Sequence, residues 1–111
     1  MNHRFTLLEA QKLLPRVYEK TSDAVNRVQQ IRLQLDEFGD ATPKGRRLVS
    51  EIDESVVTWT RDMEMLGVVV KGLWLIDFDS GEGYYCWKYP EPAVSHYHGY
   101  DDGFSGRIKI I

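Results

Sequence analysis

Apolar and weakly polar residues in the first half of the chain recur every three or four positions, as one face of a helix requires. Beyond Pro15 these residues are Val17, Thr21, Ala24, Val28, Ile31, Leu35 and Phe38. Spacings of four and three form a heptad seam, which is typical of a helix that lies along another helix. The pattern therefore predicts a long helix that ends at Gly39.

The segment before this seam carries helix signals of its own. Thr6 and Glu9 have the spacing of a capping box, in which each side chain accepts a hydrogen bond from the other residue's backbone N–H. Pro15 has no N–H to donate and disfavours a helical conformation at Leu14, so the chain either kinks or restarts there. We favour a short helix from Thr6, followed by a long helix that begins at Pro15.

A second seam follows the polar segment Asp40 to Gly45, which contains Pro43 and predicts a turn. Beyond this turn the apolar residues again step by fours and threes: Leu48, Ile52, Val56, Trp59, Met63 and Leu66. Two such seams predict a long antiparallel helical hairpin within residues 1–66.

After Gly67 the pattern becomes that of extended chain. Val68 to Val70 is a β-branched run, and residues 73–78 and 84–89 flank a glycine-containing loop, which predicts a β-hairpin. Pro90 and Pro92 end this hairpin, and residues 93–97 are a candidate third strand. Alternation places two sets on opposite faces of the second strand: Tyr84, Cys86 and Lys88, and Tyr85, Trp87 and Tyr89.

The predicted fold class is therefore α+β, with the helical hairpin packed against a small antiparallel β-sheet. We expect a single domain over residues 1–111, in which residues 67–111 form the β-hairpin and a glycine-rich C-terminal loop region.

Four apolar residues lie off the helical seams: Val25, Leu33, Val49 and Val57. They either meet the C-terminal half or bury a homodimer interface, and we favour the homodimer because a small two-helix unit rarely buries enough surface alone.

Composition narrows the classes of partner. The net charge of -3 leaves no broad basic surface, so we do not expect a nucleic acid as a partner. No apolar run reaches the length of a membrane span, and the N-terminus lacks the apolar region of a signal peptide. A single cysteine cannot form an internal disulfide. These features predict a cytoplasmic protein that does not bind a membrane.

The reactive residue types concentrate between residues 86 and 107. The candidate site residues are Cys86, Trp87, Glu91, His98, Asp101 or its neighbour Asp102, and Arg107. Cysteine, carboxylate and imidazole are ligand types of zinc and similar divalent ions, so Cys86, Glu91 and His98 are the candidate metal ligands. The alternatives are a buried structural cysteine with a loop-bound His98, or a thiolate nucleophile with His98 as its base.

Two neighbouring features carry weaker signals. His96 lies two residues before His98, on the same strand face, but we expect it to be a solvent-exposed neighbour. The segment from Gly103 to Arg107 has the composition of an anion site, with a guanidinium that can donate two hydrogen bonds to one carboxylate or phosphate. The alternative, which we favour, is a turn in which Arg107 pairs with Glu91 or Asp101.

Several motifs together resemble a known family. They are FTLLEAQKLLPRV at residues 5–17, Asp77-Phe78, Cys86-Trp87, Glu91, and HGYDDGFSGR at residues 98–107. On these residues the chain is similar to the bacterial family catalogued as domain of unknown function 2203. Pro90 replaces the glycine that usually precedes the glutamate, and Tyr97 replaces the tryptophan before the histidine. The resemblance implies the architecture and marks Cys86, Glu91, His98 and Arg107 as a site, without naming a reaction.

Two functional hypotheses follow, and the sequence leaves open whether the protein is an enzyme. The first is a non-enzymatic dimeric protein whose polar and aromatic β-region binds a small ligand, such as an anion, or a protein. The second is a small metal-assisted or thiol-dependent hydrolase that uses Cys86, Glu91 and His98. The long helical seam favours the first hypothesis.

Overall fold

The computed structural model describes residues 3–110 and has the α+β fold that the sequence predicts. Two long helices are followed by a five-stranded antiparallel sheet. The helices are α1 (Leu7–Phe38) and α2 (Pro43–Met65). The strands are β1 (Val69–Gly72), β2 (Leu75–Asp79), β3 (Tyr84–Lys88), β4 (His96–His98) and β5 (Ile108–Lys109), with a 3₁₀ turn at Phe104–Gly106.

Helix α1 begins where the capping box predicts but does not stop at Pro15. Thr6 Oγ1 accepts from the Glu9 N–H at 3.1 Å, and Glu9 Oε1 accepts from the Thr6 N–H at 2.8 Å. The prediction of a separate short helix is wrong, because Pro15 lies inside one continuous helix. Leu14 and Val17 are both buried in the main core, and packing on either side of Pro15 holds the backbone helical.

The hairpin turn is shorter than the predicted segment from Asp40 to Gly45. Gly39 ends α1 with φ of 75°, a conformation that favours glycine, and donates its N–H to the Leu35 carbonyl at 2.8 Å. Thr42 caps α2 by accepting from the Gly45 N–H at 2.9 Å, so Pro43 becomes the first helical residue. The two helices pack against each other as predicted.

The strands form a meander in the order β1-β2-β3-β4-β5, each antiparallel to the next. The predicted hairpin is β2 with β3. The β-branched run contributes β1, and the candidate third strand begins later than predicted, as β4 at His96. The sequence did not predict β5, which is two residues long and pairs with β4.

One face of the sheet and one end of the hairpin enclose the main core. From the helices and the segments beside the sheet come Phe5, Ala10, Leu14, Val17, Trp59, Met63, Val68 and Val94, and from the strands Ile76, Phe78 and Trp87. The molecule measures 48 × 25 × 24 Å, and its long dimension matches the roughly 48 Å expected of a 32-residue helix. The sheet therefore covers only part of the hairpin, and its other face points away from the helices.

The predictions of no membrane span and of a single domain can be compared with the structure only over residues 3–110. Among residues 3–110, neither helix is apolar over a stretch long enough to cross a membrane. The single domain over residues 1–111 stays a prediction, and its residues 1, 2 and 111 lie outside the described part of the chain.

Candidate functional site

The strand register brings three reactive side chains together on the outward face of the sheet. Ile76, Phe78 and Trp87 point into the core, so the alternate residues of β2 and β3 point away from the helices. Asp77 pairs with Cys86, which pairs in turn with His96 of β4; His98 lies two residues further along β4, on the same face and opposite Tyr84. One ligand atom each of Asp77, Cys86 and His98 lies within 4.8 Å of the other two.

His98 is fixed at both ring nitrogens. Its Nδ1 lies 2.8 Å from the Gly99 carbonyl oxygen, and its Nε2 lies 3.0 Å from Asp77 Oδ2. A carbonyl oxygen only accepts, so Nδ1 carries a proton, and Nε2 of a neutral ring then presents a lone pair. Because a carboxylate oxygen is also an acceptor, the Asp77–His98 contact requires a proton or another positive charge between the two atoms.

Asp77 is almost completely enclosed, with 1% of its surface exposed. Burial raises the pKa of its carboxyl above the usual value, against the opposing effect of His98. Its second oxygen, Oδ1, is buried, and no N–H or O–H group among residues 3–110 donates a hydrogen bond to it; the Cys86 thiol, a weak donor, interacts with the same carboxyl group. A buried carboxylate oxygen without a donor is costly, which marks this atom as a place where a ligand would be stabilised.

Cys86 is fully buried beside this carboxylate. Burial raises the pKa of its thiol to about 12, and the Asp77 carboxylate raises it further while Arg107 acts in the opposite direction. The Arg107 Nη1 atom lies 4.0 Å from the sulfur. In the absence of a cation these surroundings favour the neutral thiol over the thiolate.

A cavity of about 220 Å³ opens beside the three side chains. The segment that follows β4 forms its outer wall, and Asp79 holds this segment by accepting a hydrogen bond from the Tyr100 hydroxyl at 2.6 Å. That bond lowers the pKa of Asp79 and raises the pKa of Tyr100 to about 12. The lining residues are Lys71, Leu75, Asp77, Cys86, His98, Tyr100, Gly103 and Phe104.

Glu91 and Arg107 form a separate ion pair at the edge of this site. Arg107 donates from Nη1 to Oε1 at 3.0 Å and from Nη2 to Oε2 at 2.7 Å, and Glu91 Oε1 also accepts from the Lys88 N–H at 2.8 Å. Burial alone would raise the pKa of Glu91, but the hydrogen bonds from Arg107 and Lys88 hold it below its usual value. The guanidinium is thus paired with Glu91, as we favoured, and an anion would have to displace that carboxylate.

The remaining sequence candidates lie outside the cluster. Trp87 is buried on the core face, where its Nε1 donates to the Glu91 carbonyl oxygen at 2.7 Å and fixes the loop. Asp101 is exposed in the turn after β4, whereas Asp102 accepts from the Gly99 N–H at 3.0 Å. His96 is half-buried and not solvent-exposed as predicted, and its Nδ1 lies 3.7 Å from Glu91 Oε2.

The structure therefore brings Cys86 and His98 together and places Glu91 apart from them, with Arg107. Sequence reasoning missed Asp77 as the third member of the cluster, and Tyr100 as part of the cavity wall. One signal for Asp77 was present: in LIDFD, two acidic residues alternate with large apolar ones inside a strand. A charged residue at such a position is rarely buried without a partner or a function.

The cluster can act in two chemical ways. Its oxygen, sulfur and nitrogen atoms are a ligand set for a divalent cation. Without a cation, Asp77 Oδ1 accepts a hydrogen bond from any donor that enters the cavity. In both cases the cluster binds a positively charged or hydrogen-bond-donating group.

One comparison with known proteins bears on the chain as a whole. A family model described as an uncharacterized conserved protein (DUF2203) matches residues 3–110, nearly the entire length. This match confirms the resemblance that the motifs predict. No curated protein and no solved structure matches the chain. The family description states no activity, so the function has to be inferred from the site.

Proposed function

The chain belongs to the DUF2203 family, and on that premise we propose that it is a non-enzymatic binding protein whose small ligand lies in the outward-facing cavity. The observation that carries the proposal is the buried Asp77 Oδ1, which has no hydrogen-bond donor in the described part of the chain. Leaving such a group unsatisfied typically costs about 1–3 kcal/mol, and more when it is charged. A ligand with a positive or hydrogen-bond-donating group at this atom recovers that free energy.

The cavity limits the size and character of the ligand. Its volume of about 220 Å³ is below the roughly 300–1,000 Å³ of pockets for drug-sized molecules, so the ligand is smaller. Asp77 supplies the acceptor, and Phe104 and Tyr100 supply aromatic surface. Lys71, whose Nζ lies 4.5 Å from the Tyr84 ring centroid, adds a cation to the wall. A compact ligand with a donor at one end and an acceptor near Lys71 fits this arrangement.

The state of the reactive side chains favours binding over catalysis by a thiol. Both ring nitrogens of His98 already have partners, the Gly99 carbonyl and Asp77, so neither is free to take a proton from Cys86. The raised pKa of Cys86 keeps its thiol protonated. The hydrolase that uses Cys86, Glu91 and His98 stays the alternative prediction. Turnover of chromogenic ester, amide or phosphoester substrates that disappears in both Cys86→Ala and His98→Ala would favour it.

A thermal-shift screen tests the binding proposal. The probes are small amines, guanidines and amides, which offer donors to Asp77 Oδ1. We expect at least one to raise the melting temperature of the parent protein and to have little effect on Asp77→Asn, which replaces one acceptor oxygen with a donor. Asp101→Asn is the matched control, because Asp101 is exposed and outside the cavity. Equal stabilisation of the parent and Asp77→Asn, or no stabilisation by any of these probes or by a divalent cation, would contradict the proposal.

We further propose that two copies associate through the helical hairpin. Of the four off-seam residues, Val25 is half-buried, whereas Leu33, Val49 and Val57 are 67%, 38% and 54% exposed, so the sheet does not cover these three. A second copy would remove these side chains from water. Light scattering at micromolar concentration should give twice 12.9 kDa, and Leu33→Glu should return it to 12.9 kDa. A parent protein of 12.9 kDa would contradict the dimer.

A cytoplasmic location completes the proposal. The single cysteine is buried as a free thiol, which suits a reducing compartment. Fractionation of cells that express the tagged protein tests this location, and recovery from the membrane or secreted fraction would contradict it.

A further inference from the structure

We propose that Asp77, Cys86 and His98 bind one zinc ion, with a fourth coordination position open to the cavity. This inference rests on the proposed binding function, because it identifies the positively charged ligand at Asp77 Oδ1 as a divalent cation. It differs from the set of ligands predicted from the sequence by replacing Glu91 with Asp77.

The types and distances of the ligand atoms suit zinc. Thiolate, imidazole and carboxylate are its usual protein ligands, and sites with three protein ligands leave a fourth position for water or a substrate. Tetrahedral ligands at zinc distances lie roughly 3.3–3.7 Å from one another. The three atoms already lie within 4.8 Å, and the closest measured pair, His98 Nε2 and Asp77 Oδ2, is 3.0 Å apart. Side-chain adjustments of about 1 Å would close the site.

His98 has the orientation of a metal ligand. A histidine that binds a metal through one ring nitrogen usually donates the other N–H to a carbonyl, carboxylate or water. Here Nδ1 faces the Gly99 carbonyl at 2.8 Å, which directs the Nε2 lone pair toward Asp77 and Cys86. Asp102 holds Gly99 in turn, by accepting its N–H at 3.0 Å. The turn after β4 thus fixes the tautomer that zinc requires.

Asp77 Oδ1 gives an independent reason for a cation. The residue is 1% exposed, yet this oxygen has no donor among residues 3–110. Next to it, Asp77 Oδ2 and His98 Nε2 are two electron-pair donors in contact, an arrangement that a shared cation stabilises. A metal ion satisfies all three atoms at once.

The charges balance when zinc is bound. The Asp77 carboxylate and the Cys86 thiolate together neutralise the two positive charges of the ion, and His98 remains neutral. Binding releases the thiol proton and the proton shared by Asp77 and His98 to solvent. Arg107, with Nη1 4.0 Å from the sulfur, adds attraction for the thiolate, while its own charge is matched by Glu91.

Metal content tests the proposal directly. Protein stripped with a chelator is titrated with Zn²⁺ alone, and bound zinc is measured by elemental analysis and by competition with a chromophoric chelator. We expect one zinc per chain in the parent. Asp77→Asn, Cys86→Ser and His98→Ala should each bind at least about a hundred-fold more weakly, since loss of a mere supporting partner costs about 10–100-fold.

Two matched variants separate this ligand set from its alternatives. His96→Ala removes the neighbouring imidazole on the same strand face, and Glu91→Gln removes the carboxylate paired with Arg107. Both should keep one zinc per chain with affinity within about threefold of the parent, on the ground that neither touches the ion. Loss of zinc in Glu91→Gln with retention in Asp77→Asn would overturn the proposed set.

The Co²⁺-substituted parent provides a readout that does not depend on variants folding. Coordination by Cys86 should give a thiolate-to-cobalt charge-transfer band in the near ultraviolet, and absence of this band would overturn the proposal. Failure of zinc and cobalt to bind, with stabilisation of the parent but not Asp77→Asn by an organic probe, would overturn the metal site alone. Failure of metals and organic probes together would overturn the binding function as well.

Discussion

Replacement of Arg107 by lysine probes the contact that holds the end of the chain against β3. The Arg107 guanidinium makes two hydrogen bonds to Glu91, at 3.0 and 2.7 Å, and its Cζ lies 4.2 Å from the centroid of the Phe104 ring. A lysine keeps the positive charge but loses the planar fork and the stacking surface. The Arg107→Lys variant therefore retains attraction to Glu91 while losing one of the two bonds.

The size of the stability loss in Arg107→Lys depends on how deeply the Arg107–Glu91 ion pair is buried. The Arg107 and Glu91 side chains are 16% and 22% exposed, so solvent screens their interaction only in part. Hydrogen bonds that involve charged groups contribute about 1.5–3 kcal/mol each. Because lysine keeps one contact and some water reaches the pair, we expect a loss of about 1–2 kcal/mol in the free energy of unfolding. For a chain of this size that corresponds to a drop of about 4–10 °C in melting temperature.

Chemical denaturation and calorimetry in chelator-containing buffer measure this loss. Arg47→Lys, at an exposed helical position, is the matched control and should change stability by less than about 0.5 kcal/mol. In a Glu91→Gln background the cost of Arg107→Lys should shrink, since the charged partner is gone. If Arg107→Lys is as stable as Arg47→Lys in the parent background, Arg107 is an ordinary surface charge and the reasoning fails.

Two further predictions concern pH and the hairpin. The folded-state pKa of Glu91 is lowered, so its carboxylate stabilises the fold above the unfolded-state value of about 4.3, and this contribution is lost as pH falls through the lower folded value. The parent should therefore exceed Glu91→Gln in stability near neutral pH, and the gap should shrink as the pH falls into the acid range; a gap that is undiminished at the lowest pH at which both proteins fold would contradict this. In the hairpin, Trp59 Nε1 donates to Thr21 Oγ1 at 2.8 Å between two buried residues. Thr21→Val should cost about 1–3 kcal/mol by leaving that N–H unpaired, and less in a Trp59→Phe background, whereas exposed Thr58→Val should cost little.

The helices were predictable because their signals are local. The seams, the Thr6 capping box and the Gly39 stop each depend on residues within one or two turns. Pro15 was interpreted wrongly because its effect on the backbone competes with long-range packing. Leu14 and Val17 are 5% and 0% exposed against the core, and that burial outweighs the loss of one helical hydrogen bond.

The site was predictable only in part, because it depends on strand pairing. Alternation predicted that Cys86 faces away from Trp87, but not which residues of β2 and β4 lie beside it. Register places Asp77 opposite Cys86 and brings His98 next to both, whereas Glu91 turns back onto the β3 backbone at Lys88. Strand β5 was equally hidden, since a two-residue strand exists only through its pairing with β4.

The strict alternation of β2 constrains how this chain can change over evolution. Four consecutive residues are buried, with Ile76 and Phe78 in the core and Asp77 and Asp79 at the cavity side. A shift of one residue in the register of this strand would send both carboxylates into the apolar core and both apolar side chains toward the cavity. Selection for folding and selection for the proposed ligand binding would therefore act on the same four positions. Differences in length between relatives should fall in the flanking turns, where a change leaves the alternation intact.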